Sequence, residues 1–111
     1  MSRLGAVEGL GTEDQKIVTL ARSARARTGA AEGAAVRDDT GRTYLAATVE
    51  KGPLALPALH LAVASALASG ARGFEAAAVV TEGEPVGVDV LEAVGIAKLI
   101  VARPDGSIVR S

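Results

Sequence analysis

Apolar residues recur along this chain first with a helical period and then in short runs. Ile17, Leu20, Ala21 and Ala24 stand at i, i+3, i+4 and i+7, one face of a helix that Gly29 closes. Thr12-Glu13-Asp14-Gln15 has the form of a capping box, with acidic residues where the helix dipole favours them, so the helix is expected to start near residue 12. The Gly-rich residues 1–11 before it are expected to be frayed. Gly33 to Arg37 and Thr43 to Glu50 flank Asp38-Asp39-Thr40-Gly41-Arg42, whose Asp and Gly residues supply turn chemistry and predict a hairpin. Lys51 to Leu56 contains Gly52 and Pro53 and reads as a loop. Pro57 then fits the first turn of a helix running to Ser69, with Gly70 as its stop.

Apart from His60, Ser65 and Ser69, that second helix is apolar on every side. It must therefore be covered all round, by a sheet on one face and by other helices or a partner subunit on the other. Phe74 to Val80 is a continuous apolar run between Gly73 and Glu82-Gly83-Glu84-Pro85, the pattern of a strand buried on both faces. Val86 to Val94 reads as a short helix closed by Gly95, and Ala97 to Ala102 as a further buried strand. Pro104-Asp105-Gly106 turns the chain into a last strand, Ser107 to Arg110. The order α-β-β-α-β-α-β-β predicts an α/β fold with helices on both faces of a mixed sheet. Its hairpin should be antiparallel and its Phe74 and Ala97 strands parallel neighbours, and the βαβαβ portion predicts a largely parallel sheet with right-handed crossovers.

Composition narrows the function classes. With 111 residues the chain has room for one domain, 1–111, and an apolar fraction of 49% is enough to offset the entropy of ordering it. Tyr44 and Phe74 are the only aromatic residues. The core must therefore be thin and Ala/Val-built, and no aromatic platform exists for stacking single-stranded nucleic acid. A net charge of −1 removes the basic field on which nucleic-acid binding relies. With no Cys and a single His, disulfides, a thiolate nucleophile and zinc sites built from Cys and His are excluded by counting. Met1 to Ala6 lacks the apolar stretch of a signal peptide, and Ala58 to Ala68 is too short to span a bilayer, so a soluble, cytoplasmic protein without membrane association is expected.

Local wording and element order together resemble the cytidine deaminase family. Gly33-Ala34-Ala35 looks like the family's Val-Gly-Ala-Ala strand, and Thr48-Val49-Glu50-Lys51 like its Asn-x-Glu-Asn nucleoside-binding strand end. Ala58 to Phe74 is similar to the zinc-helix segment Cys-Ala-Glu-Arg-x-Ala-Ile, followed by a small-residue turn, Gly and Phe. The resemblance covers roughly residues 12 to 102. It implies a three-layer α-β-α sandwich with a mixed five-stranded sheet, and a homodimer or homotetramer.

In that register the family's chemistry is missing. The first zinc-ligand position falls on Pro57, the proton-shuttling Glu on Leu59, and the Pro-Cys-x-x-Cys segment near Pro85 to Asp89, so that Val86 and Asp89 stand for the two thiolates. Hydrolytic deamination of this kind needs a metal-activated water and a carboxylate to move protons. The resemblance thus implies no catalytic residue, no metal and no cofactor, with Leu59 and Val86 filling the vacated space as a closed apolar interior. Glu50, with Thr48, is the remaining ligand-binding candidate, although Thr48 and Lys51 replace the flanking amides and a capping or salt-bridging Glu50 is the simpler reading.

The other candidates have plain structural readings. His60 has no carboxylate or second ligand at helical spacing and reads as a partly buried histidine hydrogen-bonded in the core or an interface. Arg22, Arg25 and Arg27 could bind phosphate, but they fall in the last turns of the first helix, where cations complement the dipole on a solvated face. Glu13, Asp14, Glu82, Glu84 and Asp89 sit where helix starts and loops attract acids, and Gly83 and Gly87 lack the Lys-Ser/Thr of a phosphate loop. Three functions stay open: an inactive scaffold or regulatory protein, a homologue that still binds or deaminates nucleosides by an unrecognised route, and a non-catalytic partner of another enzyme.

Overall fold

The computed structural model describes residues 10–111. Helix α1, Thr12–Thr28, begins where the sequence places it, though not by the expected cap. Gly11 is the N-cap residue and no side chain caps it; the Gln15 side-chain amide instead reaches back to donate to the Leu10 carbonyl at 3.2 Å. At residues 10 and 11 the expected fraying fails, because Leu10 is buried in the core and Gly11 accepts the first helical bond from Gln15. The rest of that expectation, residues 1–9, lies outside the described residues. Gly29 ends α1 in the left-handed conformation, its N–H donating to the Arg25 carbonyl.

Strands β1, Gly33–Asp38, and β2, Thr43–Ala47, form the predicted antiparallel hairpin, from Gly33 opposite Ala47 to Arg37 opposite Thr43. Asp38 builds its turn: one carboxylate oxygen accepts from the Thr40 N–H, the Thr40 hydroxyl and the Arg42 N–H at 2.7–2.9 Å, and the other from the Tyr44 hydroxyl. The expected continuation of the second strand to Glu50 is broken after Ala47. Val49–Lys51 (β3) and Leu54–Leu56 (β4) pair as a small separate hairpin, so residues 51–56 are not a plain loop; Gly52 adopts φ +57 in its turn. Helix α2, Ala58–Ala68, follows with Pro57 as its N-cap. The remaining elements are β5 (Phe74–Val80), α3 (Asp89–Val94), β6 (Leu99–Ala102) and β7 (Ile108–Arg110). α3 is shorter than Val86 to Val94 because Gly87 takes φ +79 ahead of it.

The five-stranded sheet has the order β2-β1-β5-β6-β7. It is mixed, but the expected largely parallel pairing is overturned: β5 and β6 are the one parallel pair, while β1 pairs antiparallel with both β2 and β5. The topology explains this. The crossover through α2 leads from β2 to β5, which run in the same direction but flank β1 rather than touch.

Alternate residues of the central strands point to opposite helices. Ala35, Ala78 and Val80 pack under Ile17, Val18 and Ala21 of α1, while Ala34, Val36, Ala77 and Val79 pack against Leu59, Ala62, Val63 and Ala66 of α2. Small side chains let backbones approach closely: a Cβ on Gly33 would lie 2.1 Å from the Ala21 carbonyl oxygen of α1. Asp14 is buried beneath this layer, where it pairs with Lys98 and with Arg37 at 3.1 Å; Arg37 also holds Glu75 at 2.8 Å. The outer face of α2 stays open in the single chain, with Ala64 exposed and Leu67 48% exposed. Among the described residues, no helix is long and apolar enough to cross a membrane.

Candidate functional site

The start of β1, the end of β2, the β3–β4 hairpin, the N-terminus of α2 and the loop after β5 meet around a cavity of about 430 Å³. Thr48 and Glu50 line it from one side, Leu56 and Pro57 from another, and Thr81, Glu84 and Val86 from the loop. The sequence candidates Thr48, Glu50, Pro57 and Val86 are therefore brought together, although they span 39 positions of the chain. Leu59 is not part of the lining. It is fully buried in the first turn of α2, in the core against the sheet.

Val86 overturns one expectation. It is 56% exposed at the rim and the cavity beside it is open, so the site is not a closed apolar interior. The positive φ of Gly87 sets this path: a Cβ there would lie 2.8 Å from His60 Cδ2 and 2.9 Å from Pro57 Cβ, so the loop runs hard against the start of α2 and turns Val86 outward.

Thr48 is committed to backbone. Its hydroxyl accepts from the Glu32 N–H at 3.1 Å and stands 3.3 Å from the Glu32 carbonyl, which also accepts the Thr48 N–H at 3.0 Å. Glu50 is exposed at the rim. Glu32, which the sequence reading passed over, is buried and lines the same cavity. A signal for it was present: it occupies the position where the Val-Gly-Ala-Ala wording has an apolar residue, directly before Gly33.

His60 does have a carboxylate partner. Asp89, at the start of α3, places Oδ1 3.0 Å from His60 Nε2, on the exposed surface. The pair was invisible to helical spacing because its two members lie 29 residues apart on different helices. The hydrogen bond to His60 is the main cause that holds the Asp89 carboxyl below its ordinary range. Arg22 and Arg25 are not simply solvated: Arg22 donates to the Pro104 carbonyl and Arg25 to the Ala31 carbonyl, each at 3.2 Å, and Arg25 also meets Glu82 at 3.4 Å. Arg27 is exposed.

The zinc site that the family's motifs describe does not fit these residues. Pro57 offers no donor atom and Val86 none, while His60 and Asp89 are hydrogen-bonded to each other rather than converging on a shared point. Among the described residues, no three His, Cys, Asp or Glu side chains are grouped so as to hold a metal ion.

Known proteins place this geometry. A search of curated proteins returns no match. Among solved structures, the crystal structure of cytidine deaminase from Burkholderia pseudomallei matches with a TM-score of 0.71 and 28% identity, over 86% of this chain and 89% of that one. The family model described as cytidine deaminase-like matches residues 10–106. With its sandwich of α1 and α2 about a β2-β1-β5-β6-β7 sheet, the chain belongs to the cytidine deaminase-like family.

Proposed function

We propose that this chain is a catalytically inactive member of its family, a single cytoplasmic domain that acts as a scaffold or regulatory subunit through its surfaces. The observation that carries the reading is the N-terminus of α2: Pro57 stands where the family register has its first zinc ligand, and Leu59, sealed in the core, where it has the proton-shuttling acid. A hydroxide at neutral pH and a group to move protons are both required for hydrolytic deamination, and neither position can supply its part.

The surface on which such a role would rest is the outer face of α2. Leu56, Leu61, Ala64, Leu67 and Val90 border an apolar groove of about 270 Å³. A second copy of the chain, in a homodimer or homotetramer, would cover it, since the sheet reaches one side of the helix only. Elemental analysis of the recombinant protein, a deamination assay with cytidine and deoxycytidine, and sedimentation test the reading together. It predicts no stoichiometric zinc, no turnover above buffer, and an oligomer at micromolar concentration. One metal per chain or measurable deamination would overturn it.

A nucleoside-binding module is the second reading, favoured by the open cavity between Thr48, Glu50 and Pro57. A single hydrogen bond to Glu50 contributes about 0.5–1.5 kcal/mol net, against several kcal/mol for immobilising a ligand. Absence of a thermal shift with millimolar cytidine or uridine separates the readings in favour of the scaffold.

A further inference from the structure

Glu32 is 4% exposed, yet among the described residues its carboxylate has a single hydrogen-bond donor. The Val86 backbone N–H is shared between Oε2 at 3.2 Å and Oε1 at 3.4 Å. Among the described residues, no Lys, Arg or His forms an ion pair with it. A carboxylate has about four lone-pair sites, and taking one out of water is costly unless a partner meets it. The other acids buried to this degree are well met: Asp14 pairs with both Lys98 and Arg37, and the Asp38 carboxylate accepts from the Thr40 N–H and hydroxyl, the Arg42 N–H and the Tyr44 hydroxyl. Glu32 faces a cavity instead, and among the described residues no basic side chain lines it. Its backbone is fixed by Thr48 through both its N–H and its carbonyl, and its carboxylate is held by the Val86 N–H.

We propose that this cavity binds a small organic cation with a planar guanidinium or amidinium head, whose paired N–H donors meet the Glu32 carboxylate. Three properties of the site select that class. A carboxylate accepts two parallel N–H bonds from a planar fork in the geometry Arg uses. The walls contributed by Ala55, Leu56, Pro57 and Val86 are apolar, which suits a weakly hydrated delocalised cation better than a strongly hydrated ammonium. An inorganic cation is disfavoured because, among the described residues, no three ligating side chains converge. At about 430 Å³ the cavity is within the size range of small-molecule sites, and Glu50 and Glu84 at its rim add attraction for a positive ligand. The cavity includes Pro57 and Val86, but the inference rests on the Glu32 carboxylate and not on whether the chain is catalytically inactive.

The test is calorimetric titration of the full chain with agmatine, a guanidinium probe, in parallel with putrescine, an ammonium probe, and cytidine. Saturable agmatine binding in the millimolar range or tighter, accompanied by a rise in melting temperature, is expected. Glu32→Gln should weaken it by about tenfold or more, the loss of a charge-assisted bond. Ala55→Trp, at an exposed position on the cavity wall, should block binding without touching a buried group, and gives the answer if the Gln variant does not fold. Absence of saturable agmatine binding would overturn the proposal. So would equal binding of putrescine, which would mark a non-specific charge effect, or agmatine binding undiminished in Ala55→Trp, which would place it elsewhere. Cytidine binding that agmatine cannot displace, with none for agmatine itself, would return the cavity to nucleosides.

Discussion

Replacing Gly33 by Ala tests whether the close approach of α1 to β1 is as tight as the structure has it. The added Cβ would stand 2.1 Å from the Ala21 carbonyl oxygen and 2.8 Å from the Arg25 amide nitrogen, both backbone atoms of α1. Ordinary contact between heavy atoms is about 3.5 Å, so one backbone must move by more than an ångström. β1 cannot move easily, because it is hydrogen-bonded on both sides, to β2 and β5. α1 must lift, and with it Ile17, Val18, Ala21 and Ala24, all buried against the sheet. A radial gap of 0.5–1 Å already forfeits about a quarter to a half of a dispersion contact. Overpacking of this kind costs about 1–3 kcal/mol in general, and a clash with two backbone atoms of a packed helix belongs at about 3 kcal/mol or beyond. At roughly 4–8 °C per kcal/mol for a domain of this size, the melting temperature should fall by about 12 °C or more. Gly83→Ala is the control, since a Cβ there meets nothing within 4 Å. Urea unfolding of both variants, read by far-ultraviolet circular dichroism, makes the comparison. A Gly33→Ala protein within about 0.5 kcal/mol of the Gly83→Ala control would refute the reasoning.

Leu59→Ala should destabilise by about 2–5 kcal/mol, because it empties a fully buried position between α2 and the sheet, and a smaller loss in denaturant titration would mean that the core closes over the cavity. Thr48→Val removes the hydroxyl that accepts the buried Glu32 N–H and should cost about 1–3 kcal/mol; an unchanged midpoint would show that the N–H finds another acceptor. The acid limb of stability should depend on Asp14: burial pushes its carboxyl up, but the hydrogen bonds and charges of Lys98 and Arg37 outweigh burial and hold it below its ordinary value near 3.8. The folded state then binds that proton more weakly than the unfolded chain. The contribution is complete above pH 5, is lost as pH falls from about 4 through the lowered value, and should vanish from the pH profile of Asp14→Asn.

The deaminase-like register was legible in Gly33-Ala34-Ala35 and in the Ala58 to Phe74 segment because those residues serve packing, and packing leaves small-residue patterns in a sequence. The expectation that the family's ligands are missing rests on the same register, in which Pro57 and Leu59 offer no side-chain ligand or acid. Glu32 was not singled out, because a lone Glu before a strand reads as a solvated end until the fold shows that β2 and the loop after β5 close over it. The His60–Asp89 pair and the hold of Arg22 on Pro104 were hidden for a related reason, as each joins residues far apart in the chain.

By itself, then, the sequence determined the helices and most strands, from the 3.6-residue stripe of α1 to the apolar run of β5, because periodicity and turn chemistry are local properties of the chain. It also determined that no thiolate is available, because a side chain absent from the sequence is absent in every fold. The tertiary structure alone decided the antiparallel pairing of β1 with β5, the outward turn of Val86 and the open cavity beside Glu32. Strand neighbours are set by which crossover covers which face, and that choice depends on burying both helices at once. The cavity depends on the positive φ of Gly87 wedged against His60 and Pro57, a contact between segments that lie about 30 residues apart and meet only after the sheet has formed.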